Sequence, residues 1–362
     1  LDDGVGKGVG FMAERVATTP PPAMSAGTAV TAGPPQWRQQ HRHSYGAVDL
    51  GTNNCRLLIA RPTGEGFTVV DAFSRIVRLG EGLSGSGRLS QQAMDRAVAA
   101  LAVCADKLRR RHVSLARSVA TEACRRAANG RDFVERVREE TGIVMEIIAP
   151  QEEARLAVLG CHKLLEPGDG PALIFDIGGG STELVLVEPG EGDEAPRIRA
   201  WWSAPWGVVS LTESEGRAAI DGDDRIAAYA RMRDRARDSF SRFAAILPSD
   251  VPGIRLLGTS GTVTTLASVH LALPSYDRRA VDGLHVPIGD MRRISTMIAE
   301  LDFDGRSDLP CIGSERADLV VAGCAILEAI LDIWPADRLG VADRGIREGI
   351  LRSLMANDGH SV

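Results

Sequence analysis

Twice along the chain, two short apolar runs are split by a polar, glycine-rich turn. At Leu173–Val187, LIFDIGGGSTELVLV, aliphatic positions run up to Asp176, three glycines follow, and Ser181-Thr182-Glu183 opens a second aliphatic run. At Ala47–Ala60, AVDLGTNNCRLLIA, a run ends in Asp49, Gly51-Thr52-Asn53-Asn54 follows, and a second run begins. Aliphatic and β-branched runs separated by Gly, Asn and Ser predict β-hairpins. Asp49 and Asp176 lie 127 positions apart, about one domain length, so the pattern predicts an internal duplication.

Between and after the hairpins, strand-like and helical patterns alternate. Phe67–Leu79 predicts a third strand, followed by the Gly-Ser loop Gly80–Gly87. Ser90 reads as the N-cap of a helix to about Arg111. Leu115–Ala120 predicts a strand, Arg131–Thr141 a helix stopped by Gly142, and Val144–Ala149 a strand. Pro150 opens a helix over Gln151–Leu165, and Pro167–Gly170 reads as a linker. The second half gives a strand through Ile198–Trp202, a helix over Asp224–Leu247 and a strand at Ile254–Leu257. The turn Gly258–Thr262 leads into a further helix. Arg316–Ile333 is a strongly apolar helix, Leu339–Ala342 a short strand and Ile346–Met355 a closing helix. This alternation predicts a layered α/β architecture.

Residues 1–44 lack periodicity and carry Pro20-Pro21-Pro22 and Gly33-Pro34-Pro35, which predicts a flexible tail. The tail lacks the order of segments that makes a signal peptide, and Leu1 at the start fits a trimmed or misassigned beginning.

Composition narrows the class. With 362 residues, 44% hydrophobic and 25% charged, the chain has the make-up of a soluble globular protein of two domains. No apolar run reaches the roughly 18 residues of a membrane span. The six cysteines show no C-x-x-C spacing, so neither a zinc site nor a disulfide framework is indicated, and a reducing cytoplasm fits. The seven histidines form no cluster of metal-ligand spacing. A net charge of −6 argues against a general nucleic-acid binder, although a basic cleft can serve an acidic protein. Arginine far outnumbers lysine, which suits bidentate phosphate contacts and equally suits an Arg-favouring codon usage.

The hairpin turns carry the candidate chemistry. Successive glycines let backbone N–H groups approach an oxyanion because no Cβ intervenes. Asp176 and Glu183 offer the hard oxygens that Mg²⁺ accepts. Amide cradle plus carboxylates outline a phosphate site.

Five segments together resemble the exopolyphosphatase/guanosine pentaphosphate phosphohydrolase (Ppx/GppA) family. They are Val48–Asn53, Ala120-Thr121-Glu122-Ala123, Glu152-Glu153-Ala154-Arg155-Leu156, Asp176–Glu183 and Arg347-Glu348-Gly349. The similarity covers about residues 45–356. It implies an α/β fold of two actin-like (ribonuclease H-like) domains facing a cleft, of the actin/sugar kinase/Hsp70 ATPase superfamily. The expected division is a first domain over 45–168, a second over 171–343, and a C-terminal helix, 344–362, packing back on the first. The implied activity is release of terminal phosphate from polyphosphate, or from pppGpp to give ppGpp. A small-molecule kinase of the same superfamily is the more distant alternative, and E-E-A-R-L disfavours it.

By position, Glu153 matches the family's catalytic glutamate, and Arg125 an arginine that holds substrate phosphate. From spacing alone, Glu152 and Glu153 could instead complement a helix dipole. Asp49, Asp176 and Glu183 are the expected ligands of Mg²⁺ (or Mn²⁺), mostly through water. Gly51, Thr52, Asn53 and Asn54, with Gly178, Gly179, Gly180, Ser181 and Thr182, are the expected phosphate donors. Arg56 pairs with phosphate or is a strand-end surface residue. Ser260, Gly261 and Thr262 either touch further phosphates or a guanine, or form a plain helix-entry turn.

Arg109–Arg111 and the Arg231–Arg242 region read as solvated helix faces. Trp201, Trp202 and Trp206 read as packing at a strand edge or a homodimer contact. Longer family members continue into a helical region resembling an HD-type phosphohydrolase domain, which this sequence lacks; a preference for short polyphosphates is the expectation. Neither a nucleic-acid nor a membrane partner is expected.

Overall fold

Asp49 faces Arg56 across the first hairpin, and Asp176 faces Glu183 across the second. These pairs belong to a computed structural model that describes residues 43–361, apart from 65, 169, 189, 191–195 and 248–252. The expected tail therefore lies almost wholly outside the described residues.

The first hairpin joins β1 (Tyr45–Leu50) to β2 (Asn54–Thr63), and β3 (Gly66–Ile76) extends it antiparallel. Strands β4 (Leu115–Ala120) and β5 (Met145–Ile147) add in parallel beyond β1, giving the order β3-β2-β1-β4-β5. The second hairpin joins β6 (Ala172–Ile177) to β7 (Thr182–Glu188), extended antiparallel by β8 (Arg197–Ala204). Beyond β6 lie β9 (Arg255–Thr259), β10 (His285–Pro287) and β11 (Arg338–Ala342), in the sheet order β10-β11-β9-β6-β7-β8. Both β9 and β11 run parallel to β6, and β10 closes the edge antiparallel. A three-strand meander followed by parallel strands thus occurs in both sheets.

Helices cover the sheets. In α1 (Gln91–Arg110), the Ser90 side chain accepts the Ala93 N–H as N-cap, and Ala93, Ala97, Leu101 and Cys104 are buried in the core over the first sheet. A short helix α2 (Glu122–Arg126) starts directly after β4. Next, α3 (Gly130–Thr141) stops at Gly142, whose φ of 76° is left-handed and cheap only for glycine. The chain then enters α4 (Pro150–Cys161), and its last turn tightens into a 3-10 turn over His162–Leu164. Over the second sheet lie α5 (Val208–Glu215), α6 (Arg225–Ala244), α7 (Gly261–His270), α8 (Ile288–Glu300) and α9 (Val320–Ile333). The final helix is α10 (Ile346–Asn357).

Two helices join the sheets. Ala154, Val158 and Cys161 of α4 pack with Ala172, Ile174 and Val185 of the second sheet. Ile350, Leu351 and Met355 of α10 pack with Tyr45, Ala47 and Leu58 of the first. Where α4 and α10 meet, side chains are excluded. A Cβ on Gly160 would stand 2.0 Å from the Gly345 carbonyl oxygen, and one on Gly349 would stand 2.0 Å from that of Leu156. Close backbone packing there holds the two halves in register.

Some element ends move from their sequence positions. The third strand stops at Ile76 because the Val77 and Arg78 N–H groups turn to the Asn53 carbonyl instead of a ladder partner. The apolar helix starts at Val320, after turns over 313–319. No element was assigned from sequence to α8, whose Met291, Ile294 and Ile298 are buried. Among the described residues, no helix is long and apolar enough to cross a membrane. Strand β8 is a sheet edge; there the Trp202 indole N–H donates to the Ser239 carbonyl at 3.1 Å.

Candidate active site

The two hairpin turns are built alike. Gly51 N–H donates to Asn54 O at 2.9 Å, and Gly178 N–H donates to Ser181 O at 2.9 Å. The turns also meet. A Cβ on Gly179 would stand 2.9 Å from Thr52 Cβ, and one on Gly180 would stand 2.8 Å from Thr52 Oγ1. Glycine is required here by close approach of the halves, besides any use toward an anion.

Between the turns lies a cavity of about 520 Å³. Its walls include Asp49, Gly51, Thr52, Asn53, Asn54 and Arg56 from the first hairpin. Facing them are Asp176, Gly178, Gly179, Gly180 and Ser181 from the second. Ser260, Gly261 and Thr262 line it at the entry to α7, and Glu153 lines it from the first turn of α4.

Its acidic residues are held in water-poor surroundings. Burial, joined by Glu183 and Asp49, pushes the Asp176 carboxyl up to about 8, with Arg56 pulling the other way. Burial likewise raises Asp49 against the pull of Arg56 and Arg347. Arg56 is half-buried, and desolvation and Arg347 lower its pKa while Asp49 and Asp176 support its charge. Asp49 Oδ1 and Asn53 Oδ1 are buried without a hydrogen-bond partner. Glu183 stands behind the wall: its Oε1 accepts from Ser181 Oγ at 2.7 Å and Ser203 Oγ at 2.9 Å. Among the described residues, no three His, Cys, Asp or Glu side chains are grouped to ligate one ion directly.

The adjacent glutamates of α4 have opposite surroundings because neighbouring helix positions point about 100° apart. Glu152 accepts from Arg117 and Arg155, both at 2.7 Å, on the outer face. Glu153 is 6% exposed, and its Oε2 accepts from Arg125 Nη1 at 3.1 Å. Burial and then Glu183 hold the Glu153 pKa well above the usual carboxylate range, with Arg125 opposing. Arg125 Nη1 also donates to the Ile148 carbonyl at 2.7 Å, and Nη2 and Nε donate to Glu122 Oε2 at 2.6 and 3.1 Å. Burial works against this guanidinium, yet Glu153 and Glu122 raise its pKa.

Not every expected residue reaches the cavity. Arg125 lines a separate, smaller pocket with Cys124 and Arg131, and is joined to the cavity wall by its hydrogen bonds to Glu122 and Glu153. The Thr182 hydroxyl donates to the Trp206 carbonyl at 2.7 Å and is fully buried. Ser260 does line the cavity, with φ 151°, a costly backbone for a residue with a Cβ, but its Oγ is engaged in capping α7 by accepting from Val263 N–H.

The cavity also holds residues without a role in the sequence reading: Glu122, Ser74, Arg75 and Arg316, whose Nη1 donates to Thr265 Oγ1 at 3.0 Å. Glu122 had one available signal. β4 runs parallel to β1 with Ala120 beside Leu50, so residues just past β4 emerge where the Gly51 turn emerges.

Two α/β halves of one topology, closing glycine turns around half-buried carboxylates and an arginine, define an enzyme built to handle phosphate. The Ppx/GppA phosphatase family model matches residues 58–358, and the chain belongs to that family. Exopolyphosphatase 2 of Mycobacterium tuberculosis is 30% identical over 322 residues, 85% of this chain and 97% of that protein. A guanosine-5'-triphosphate,3'-diphosphate pyrophosphatase of Aliivibrio fischeri is 29% identical over 312 residues, 86% of this chain and 59% of that protein. The crystal structure of an Aquifex aeolicus Ppx/GppA family member superposes with a TM-score of 0.71 at 30% identity, covering 88% of this chain and 99% of that one.

Proposed function

We propose that the protein is a phosphoanhydride hydrolase that releases orthophosphate from the end of inorganic polyphosphate. The observation that carries this reading is the shared cavity of the two matched turns, with Asp49 and Asp176 on opposite walls and Glu153 beside them. The exopolyphosphatase name of the Mycobacterium tuberculosis relative supports the same substrate.

In this reading, N–H groups of Gly51–Asn54 and Gly178–Ser181 hold the terminal phosphoryl oxygens. Arg56 balances charge that spreads over those oxygens. Glu153 takes a proton from the attacking water; the water oxygen bonds to phosphorus, the P–O bond to the remaining chain breaks, and the shortened polyphosphate leaves. A base in a dry, acidic environment has its pKa raised, which strengthens its hold on water's proton.

Asp49 and Asp176 would hold Mg²⁺ or Mn²⁺, largely through water, while Glu183, the third expected ligand, stands behind them bonded to Ser181 and Ser203. The unpartnered, buried Asp49 Oδ1 fits a cation, and the absence of a three-ligand cluster among the described residues fits an ion that keeps its waters. The ion supplies positive charge against the phosphate oxygens. Six buried, free thiols suit the reducing cytoplasm.

A second substrate, pppGpp, is favoured by the Aliivibrio fischeri relative's name. Inorganic polyphosphate stands first because no aromatic ring lines the cavity, among the described residues, to stack a purine. Orthophosphate release from polyphosphate and from pppGpp, measured side by side, tests the choice. The expected result is a higher kcat/KM for polyphosphate; a higher value for pppGpp exchanges the two.

A further inference from the structure

We propose that Glu122 is a positioning residue for hydrolysis: it engages the Nε and Nη2 side of Arg125 and so holds that guanidinium off Glu153. The inference rests on the reading of Glu153 as base.

Arginine left beside one carboxylate forms a two-pronged pair, engaging both oxygens. A glutamate paired that way has both oxygens committed to accepting protein donors, which weakens it as an acceptor for water's proton. Here the pairing is divided. Glu122 Oε2 takes Nη2 at 2.6 Å and Nε at 3.1 Å. Glu153 receives only Nη1, at 3.1 Å, and that nitrogen also donates to the Ile148 carbonyl at 2.7 Å. Arg125 is therefore pinned by a main-chain oxygen and by Glu122, and one Glu153 oxygen remains outside the pair.

Glu122 is itself fixed. It begins α2 directly after β4, its side chain is 14% exposed, and its carboxylate is at the cavity wall. The second hairpin turn leaves space for it: a Cβ on Gly180 would stand 3.0 Å from Glu122 Cγ. Both acidic partners of Arg125 thus line the cavity from different elements, while the arginine lies behind them.

The test is a double-variant cycle on the full chain with inorganic polyphosphate, measuring kcat and KM for Glu122→Gln, Arg125→Gln and the pair. Gln keeps the size of Glu122 but exchanges the charge-assisted hold on the Nε and Nη2 side for a neutral oxygen, roughly half as strong. Glu122→Gln is expected to lower kcat about tenfold, a fraction of the hundredfold or more that a base supplies, with KM within about twofold. Because Glu122 acts through Arg125, the double variant is expected to be no slower than Arg125→Gln alone. Wild-type kcat in Glu122→Gln, or losses that multiply in the double variant, overturn the proposal. Thermal unfolding confirms that each variant folds; if Glu122→Gln does not fold, Glu122→Ser takes its place in the same cycle. Glu153→Gln is the control. If it keeps wild-type turnover, the reading of the site fails; if it is inactive while Glu122→Gln is normal, only the inference about Glu122 fails.

Discussion

Arg125 Nη1 and Glu153 Oε2 stand 3.1 Å apart, joining the end of the first sheet to the first turn of α4 at the cavity wall. Glu153 is buried, so its proton affinity is set by its neighbours rather than by bulk water. Replacing Glu153 with Gln is expected to lower turnover of polyphosphate at least about a hundredfold, the scale of a lost general base. Gln occupies the same space and still accepts from Arg125, so the unfolding temperature is expected to hold within a few degrees. Steady-state kinetics alongside a thermal melt check both.

Asp176 gives a pH dependence of stability. Its folded-state pKa, about 8, lies above its ordinary 3.8, so the folded protein retains a proton that the unfolded chain releases between those values. Stability is then greatest below about pH 4 and falls as pH rises to about 8, as far as this group contributes. Asp176→Asn removes that slope. In metal-free protein the variant is expected to melt several degrees higher than wild type at pH 8, with hydrolysis lost. Equal or lower melting at pH 8 would count against a desolvated carboxylate at this position.

Metal removal follows from the orphaned Asp49 oxygen. EDTA is expected to abolish phosphate release, and Mg²⁺ or Mn²⁺ in excess to restore it. Binding also has a readout apart from turnover: added Mg²⁺ raises the melting temperature of the folded state that holds it. Full activity in chelator would remove the ion from the account.

The contact of α4 with α10 predicts a packing defect. Gly349→Ala places a methyl 2.0 Å from the Leu156 carbonyl oxygen, a clash only backbone movement can relieve. A loss of about 1–3 kcal/mol is expected, the usual cost of overpacking, read from denaturant unfolding. Gly289→Ala is the control, since nothing lies within 4 Å of the added methyl there and its backbone is helical.

Much of this arrangement could be read from the chain. Both hairpins were legible because aliphatic runs on either side of D-x-G leave few alternatives to a strand-turn-strand. Ser90 and Gly142 marked helix ends because their roles are local: a side-chain oxygen for an unpaired N–H, and a left-handed φ. What spacing could not show was direction across elements. Arg125, Glu122 and Glu153 come from two helices, with Ile148 between them in sequence, so the bridge exists only after folding. Thr182 was read with its neighbours as a phosphate donor. Its hydroxyl turns to Trp206 O, a partner 24 positions away that spacing does not reveal, while Ser181 lines the cavity. The alternation of Phe67–Leu79 likewise concealed that Asn53 O would claim the N–H groups of Val77 and Arg78.

Hydrolysis of polyphosphate in ¹⁸O-labelled water tests most directly whether the two turns present a terminal phosphoryl group to a water activated by Glu153. Each orthophosphate released by the wild type is expected to carry one ¹⁸O atom, and Glu153→Gln is expected to release almost none. Unlabelled orthophosphate, transfer of the phosphoryl group to another acceptor, or undiminished release by the variant would contradict it.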